Sequence, residues 1–293
     1  MQDKPDNAVL IVGCGDVGRR VAGLLQSAGT TATCIVRSSE SLNALQAAGF
    51  DARRIDLDTQ DTGNSTANLA SEIYYFAPPP PVGETDTRMS AFLQGLDREN
   101  PPRRIVYIST SAVYGDCQGA WITEAQPLNP ATSRGWRRLD AERQLMAWCA
   151  KTGSEWIVLR VPGIYGPGKL PLERLRQGLP VLREVDAPYT NRIHVDDLAA
   201  VCIAAMSSRC CNTVYNVSDG HPSNMTDYFF RVADAAGLPR PPQVSREEAQ
   251  RVLSPGMLSF LNDSRRMDNT RLLEELQITL QYPDLDAGLA SCF

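Results

Sequence analysis

Residues Ala8 to Arg19, AVLIVGCGDVGR, constrain this chain more than any other stretch, because an apolar run breaks into Gly13, Gly15 and Gly18 and then resumes. Val9 to Val12 read as a strand buried on both faces. From Asp16 the apolar residues Val17, Val21, Leu24 and Leu25 recur at helical spacing until Gly29 stops them. A tight turn must join the two elements. Gly13 lets the chain turn, Gly15 lets the backbone approach a ligand with no Cβ in the way, and Gly18 lets the helix close on the strand. The N–H groups running from Gly13 through Cys14, Gly15, Asp16 and Val17 to Gly18, with the positive helix end, then face an anion. G-x-G-x-x-G alone is a weak signal. Between a strand and a helix it predicts the pyrophosphate turn of a dinucleotide site, the alternative being a merely structural turn.

At 293 residues the chain can bury a large core, as one α/β domain or as one with a smaller lobe attached. A net charge of -5 and a pI near 5.2, with no basic run, argue against a nucleic-acid surface. The polar start MQDKPDN holds no hydrophobic signal core, and no stretch reaches the ~18 apolar residues of a membrane span. A cytoplasmic protein with no membrane partner is expected. The eight cysteines include no C-x-x-C, so reduced, mostly buried thiols are expected. His194 and His221 are the only histidines and lack a ligand cluster around them, so no metal site is expected.

Thr31 to Val36 is β-rich and ends in Arg37, Ser38 and Ser39, about twenty residues past the glycines, where a ribose would be read. An NAD site offers an Asp or Glu there, whereas an NADP site offers Arg and hydroxyls to the 2′-phosphate. A charge-assisted hydrogen bond contributes roughly 1.5 to 3 kcal/mol, enough for about ten- to hundredfold discrimination. Arg37 and Ser38 therefore favour NADP over NAD, while Glu40 and a merely solvated Arg37 keep NAD open. Ala52 to Leu57 reads as a third strand, with Asp56, Leu57 and Asp58 placed to meet an adenine amino group. Ile73 to Ala77 reads as a fourth, running into Pro78 to Pro81. Four prolines forbid a helix and leave the chain stiff, either as a wall beside the cofactor or as a linker or exposed SH3-type ligand.

Arg88 to Leu96 reads as helix and Arg104 to Ile108 as a fifth strand, opening into Ser109 to Gly115, STSAVYG. Hydroxyls at a strand's carboxyl end sit where α/β sheets bind ligands. Trp121 to Pro130 reads as loop, Arg137 to Cys149 as helix, and Trp156 to Arg160 as a sixth strand ending in VPGIYGPG. Beyond it, Leu170 to Gly178 is a short helix, and Asn191 to Val195 a short strand. Asp196 and Asp197 are placed to cap the apolar helix Leu198 to Met206. Val214 to Val217 is the last strand, and helical pieces broken by prolines follow His221. Arg160 reads as a buried arginine paired with Asp196 or Asp197.

VGCGDVG, YISTSAVYG, PLNP before a helix, LRVPGIYGPG, RIHVDDLA and YNVSDG stand in one order. Together they resemble the extended and atypical short-chain dehydrogenase/reductases, the NAD-dependent epimerase/dehydratase superfamily. The resemblance implies a Rossmann doubly wound parallel sheet with a small, mainly helical C-terminal substrate lobe. The core would be 1–168 with 191–218 returning to it, and the lobe 169–190 with 219–293. It also implies cofactor contacts at Ala77, Pro78, Thr110, Arg138, Pro162 and Gly163. The glycine spacing differs from the usual G-x-x-G-x-x-G and is similar to the atypical branch.

The family's chemistry uses a Ser or Thr on the reacting oxygen, a Tyr as acid or base, and a Lys in Y-x-x-x-K. Here the hydroxyl position falls on Thr110, with Ser111 beside it, and the carboxylates of the dehydratase branch are missing. Between Pro127–Pro130 and Leu139–Glu142 the Tyr position falls on Arg134 and the Lys position on Arg138. Guanidinium does not cycle a proton near neutral pH. General acid–base catalysis contributes about 10²- to 10⁴-fold, so its loss raises the barrier by roughly 3 to 5 kcal/mol. Arg138 can still hold a ribose hydroxyl and Arg134 an anionic substrate. Tyr114, Tyr165, Arg192 and His194 match positions near the substrate, the alternatives being packing within a strand-to-loop turn for Tyr114, a cleft-lining aromatic for Tyr165 and a satisfied core histidine for His194. The resemblance points to an NAD(P)-dependent oxidoreductase or epimerase for a small carbonyl or nucleotide-sugar-like substrate, or to a non-catalytic NADP(H) sensor. A monomer or homodimer is expected. Arg137, Arg138 and Arg143 make the helix face beside the Tyr position more charged than a tight dimer would use.

Overall fold

The computed structural model describes residues 8–59 and 70–293; the polar start Met1 to Asn7 lies outside them. The chain opens with β1 (Val9–Val12), α1 (Asp16–Ser27), β2 (Ala32–Val36), α2 (Ser39–Ala47), β3 (Asp51–Arg54), β4 (Glu72–Tyr75), α3 (Thr87–Gln94) and β5 (Arg104–Thr110). A 3-10 turn at Ser111–Tyr114 and α4 (Ser133–Thr152) follow. Strands Glu155–Val161 and Thr213–Asn216 complete a seven-stranded sheet in the order Thr213–Asn216, Glu155–Val161, β5, β4, β1, β2, β3. The sheet is the doubly wound parallel one expected, with β1 paired in parallel to both β2 and β4. The strand order reverses between β1 and β4, and ligands in such sheets bind outside the strand ends at that reversal.

The chain forms two compact units. The first comprises 1–110, 133–160 and 198–215, and the second 111–132, 161–197 and 216–293. In the first, Val9 to Val12 are all buried, as are Ile73, Tyr75, Ile105, Tyr107 and Val158. Each aliphatic side chain buried there contributes roughly 1.5 to 3 kcal/mol. α1 turns Gly18, Val21 and Ala22 inward, whereas Leu24 is 45% exposed, so the buried stripe runs one position off the expected one. In the second unit Tyr165, Leu175, Val181, Phe229, Val232, Leu285 and Leu289 pack together.

Several boundaries differ from expectation for identifiable reasons. α4 begins at Ser133, so Arg134 lies on its first turn instead of in a loop. The third strand stops at Arg54, because Asp56 folds its carboxylate back onto the Asp58 N–H (3.0 Å) and makes a turn. Trp121–Ile122, expected as loop, pairs in parallel with Arg266–Met267. Helix Val195–Ser207 starts before Asp196 and Asp197, which are therefore first-turn residues and not caps. Asp197 instead accepts from the Gln281 and Tyr282 N–H groups at 2.7 and 2.9 Å, tying the C-terminal segment to this helix.

Candidate active site

The glycine turn starts where β1 ends. Gly13 has φ +85°, and a Cβ there would lie 2.4 Å from the Ala77 nitrogen, so this glycine serves both the turn and the close approach of the chain leaving β4. A Cβ on Gly18 would meet Cys14 Sγ and Ile11 Cγ2 at 3.3 Å, the tight helix–strand packing expected of the third glycine. A Cβ at Gly15 would meet nothing within 4 Å. That is the space a pyrophosphate needs. The amides of the turn itself are spent internally: Gly13 and Cys14 donate to Ile35 O at 3.0 Å and Gly15 donates to Gly13 O at 2.8 Å. The donors offered to an anion are accordingly those of α1's first turn, which begins with no side-chain cap, at Val17 and Gly18. Asp16 leans on Arg20 at 3.6 Å.

At the end of β2, Arg37 is exposed and Ser38 caps α2, its Oγ accepting from the Ser41 N–H at 3.2 Å. Asp56 is half-buried and Leu57 buried. Ala77 is buried beside Gly13, and Pro78 is exposed with its carbonyl accepting from Arg88 Nη1 at 3.0 Å. These fit a dinucleotide laid from β1 towards β2 and β3. Arg88 was invisible in the sequence, where nothing separates a buried, clamped arginine from a solvated one.

Thr110 ends β5, half-buried. Arg134 is exposed on the first turn of α4. Arg138, one turn on, is largely buried and donates from Nη1 to Ile108 O at 2.9 Å and Tyr107 Oη at 3.2 Å. Arg137 is buried as well, donating to Gly83 O at 2.5 Å. Of the three arginines expected to charge this helix face, Arg137 is buried, Arg138 half-buried and Arg143 exposed. Arg160 pairs with Glu142 at 2.8 Å, and Ser109 Oγ donates to the same carboxylate at 2.5 Å. This buried group locks α4 onto β5 and onto strand Glu155–Val161.

In the second unit the 3-10 turn after β5 carries Ser111, whose Oγ accepts from Arg265 Nη2 at 3.5 Å. Arg265 also donates to Gly115 O at 2.6 Å, a brace that sequence reading missed because it comes from the C-terminal pieces. Tyr114 is buried with its hydroxyl donating to Asn216 Oδ1 at 2.7 Å. Tyr165 is buried, donates to Asp284 O at 3.1 Å and stacks edge-on against His194. His194 is fully buried, its Nδ1 accepting from the Asp196 N–H at 3.3 Å and its Nε2 bonded to Ser291 Oγ at 3.1 Å. Both tyrosine hydroxyls and the imidazole thus have packing roles. Arg192 is buried over the Tyr228 ring and donates to Ser223 and Thr190 hydroxyls at 3.1 and 2.8 Å. Pro162 is half-buried, and Gly163 is exposed and pairs with Arg192.

All eight cysteines are free thiols, Cys211 exposed and Cys14, Cys34, Cys149 and Cys202 buried. Among the described residues no group of three or more His, Cys, Asp or Glu is placed to hold a metal, and no helix is long and apolar enough to cross a membrane.

Residues 9–218 match the NAD dependent epimerase/dehydratase family. The chain belongs to that family. Among curated relatives of this epimerase/dehydratase member, Protein YeeZ of Escherichia coli (strain K12) is 26% identical over 94% of this chain and 96% of its own. A 3-diazoavenalumate denitrifying reductase from Streptomyces sp is 26% identical over 96% of this chain and 98% of its own. A functionally unknown conserved protein from Silicibacter pomeroyi DSS superposes with a TM-score of 0.77 at 30% identity, covering 97% of this chain and 96% of its own.

Proposed function

We propose that this chain binds NADP(H) ahead of NAD(H) and works as an oxidoreductase on a small carbonyl or nucleotide-sugar-like substrate. The observation that carries the reading is the open space at Gly15 beside a helix end without a side-chain cap. Arg37 and Ser38 at the end of β2 give it the NADP preference. The nicotinamide supplies a hydride when bound. Thr110, with Ser111, binds the reacting oxygen, and Arg134 meets negative charge on the substrate from the first turn of α4. Arg138, held by Ile108 O and Tyr107, fixes the ribose side of the site. Hydride addition to a carbonyl leaves an alkoxide, which Arg134 stabilises by its charge and which takes its proton from water, since guanidinium keeps its own. The Streptomyces relative is by its name a reductase, which supports reduction over epimerisation. The test is loss of NADPH absorbance across a panel of small aldehydes, ketones and nucleotide sugars, with turnover expected for at least one and abolished in Arg134→Ala.

A second reading, an NADP(H)-binding sensor without turnover, is favoured by the same arginine, because guanidinium keeps its proton near neutral pH. It replaces the first if no panel member consumes NADPH while Arg134→Tyr with Arg138→Lys gains turnover.

A further inference from the structure

The charge arrangement around Arg37 carries one step more, resting on the reading that the glycine turn holds a dinucleotide. Arg37 has a single ion pair among the described residues, from Nη1 to Asp58 Oδ2 at 3.5 Å. Asp58 is held much harder from the other side. Arg88 grips it with two near-parallel bonds, Nε to Oδ1 at 2.7 Å and Nη2 to Oδ2 at 2.5 Å. The third arm of Arg88 donates to Pro78 O at 3.0 Å and Pro79 O at 3.3 Å, carbonyls whose own nitrogens have no hydrogen to give. The Arg88 side chain is 9% exposed, against 40% for Asp58 and 64% for Arg37.

Two cations therefore share one carboxylate, and the group carries a net positive charge. The bidentate bond occupies both Asp58 oxygens and holds its carboxyl below the usual carboxylate range. A carboxylate in this part of the sheet would ordinarily do two things. It would draw the Arg37 guanidinium to itself, and it would repel a 2′-phosphate. Clamped to the rigid proline segment, Asp58 does neither, and the exposed Arg37 keeps a guanidinium for the phosphate.

We infer that Asp58 and Arg88 set the choice between NADP(H) and NAD(H), with Arg88 neutralising and immobilising Asp58 so that Arg37 remains available to the 2′-phosphate. Arg88 is thus a positioning residue and Arg37 the one that touches the cofactor.

The experiment is fluorescence titration of NADPH and NADH into the wild type, Arg37→Ala, Arg88→Met, Arg88→Lys, Asp58→Asn and the Arg88→Met/Asp58→Asn double variant, with a thermal melt of each. Arg37→Ala should weaken NADPH at least tenfold and change NADH less than twofold. Arg88→Met should lower the NADPH-to-NADH preference about tenfold, Arg88→Lys less, and added salt should erode the wild-type preference. The double variant should restore the preference, since no carboxylate then remains to be neutralised. A purely structural role in pinning the prolines would weaken both nucleotides alike and would not be rescued by Asp58→Asn. Either result overturns the inference. Wild-type protein that binds neither nucleotide overturns the dinucleotide reading itself, and binding without preference overturns only the assignment to Arg37, Asp58 and Arg88.

Discussion

Asp219 is buried with Oδ1 accepting from the His221 N–H at 2.9 Å and with Oδ2 lacking a hydrogen-bond partner among the described residues. Burial raises its pKa to about 6, against the nearby Arg192, which pulls it down. Because the folded value lies above the unfolded one, stability is fully present below pH ~4 and falls as pH rises through about 6. Asp219→Asn keeps the acceptor and removes the titration. Melts at pH 4 and pH 7.5 should show little difference at the lower pH and a variant more stable by about 2 to 3 kcal/mol at the higher. Glu142 and Arg160 make the opposite case, an ion pair buried on both sides. Arg160→Met leaves a carboxylate uncompensated and should cost about 3 to 5 kcal/mol in urea unfolding, with much of it recovered by adding Glu142→Gln. The burial of Arg160 was legible in the sequence, from its place in an apolar strand. The part of Glu142 was not, because only the packing of α4 on the sheet brings that carboxylate to Arg160.

At the scale of elements, the strand, turn and helix around the glycines were legible because every determinant there is local: an apolar run, a positive φ at Gly13, and helical spacing after it. The division of labour among the glycines was only partly so. Gly13→Ala drives a Cβ into the Ala77 backbone and requires φ +85° of an alanine, so it should lower stability by several kcal/mol and abolish cofactor binding together. Gly15→Ala enters open space without a positive φ, so its melting temperature should stay near the wild type while NADPH affinity drops at least about tenfold by titration, a loss near 1.4 kcal/mol. A fall in both for Gly15→Ala would mean that the space is needed by the fold and not by a ligand. The Asp58–Arg88 tie was not legible, since it joins three segments that share no periodicity.

For the whole molecule, the doubly wound sheet and the family followed from motif order, because VGCGDVG, YISTSAVYG and LRVPGIYGPG each mark the end of a strand of the one parallel sheet. The register expected to put Arg134 and Arg138 at the Tyr and Lys positions runs from Pro127–Pro130 to Leu139–Glu142, and both arginines lie on the one helix Ser133–Thr152. What the linear sequence left open was which polar side chains face inward, and those decide the chemistry. The account as a whole rests on a dinucleotide held at the glycine turn and chosen by its 2′-phosphate. Calorimetric titration of the purified wild-type protein with NADPH and with NADH tests it most directly: saturable one-to-one binding of both, at least tenfold tighter for NADPH, is the predicted result, and no binding, or NADH binding as tightly as NADPH, would contradict it.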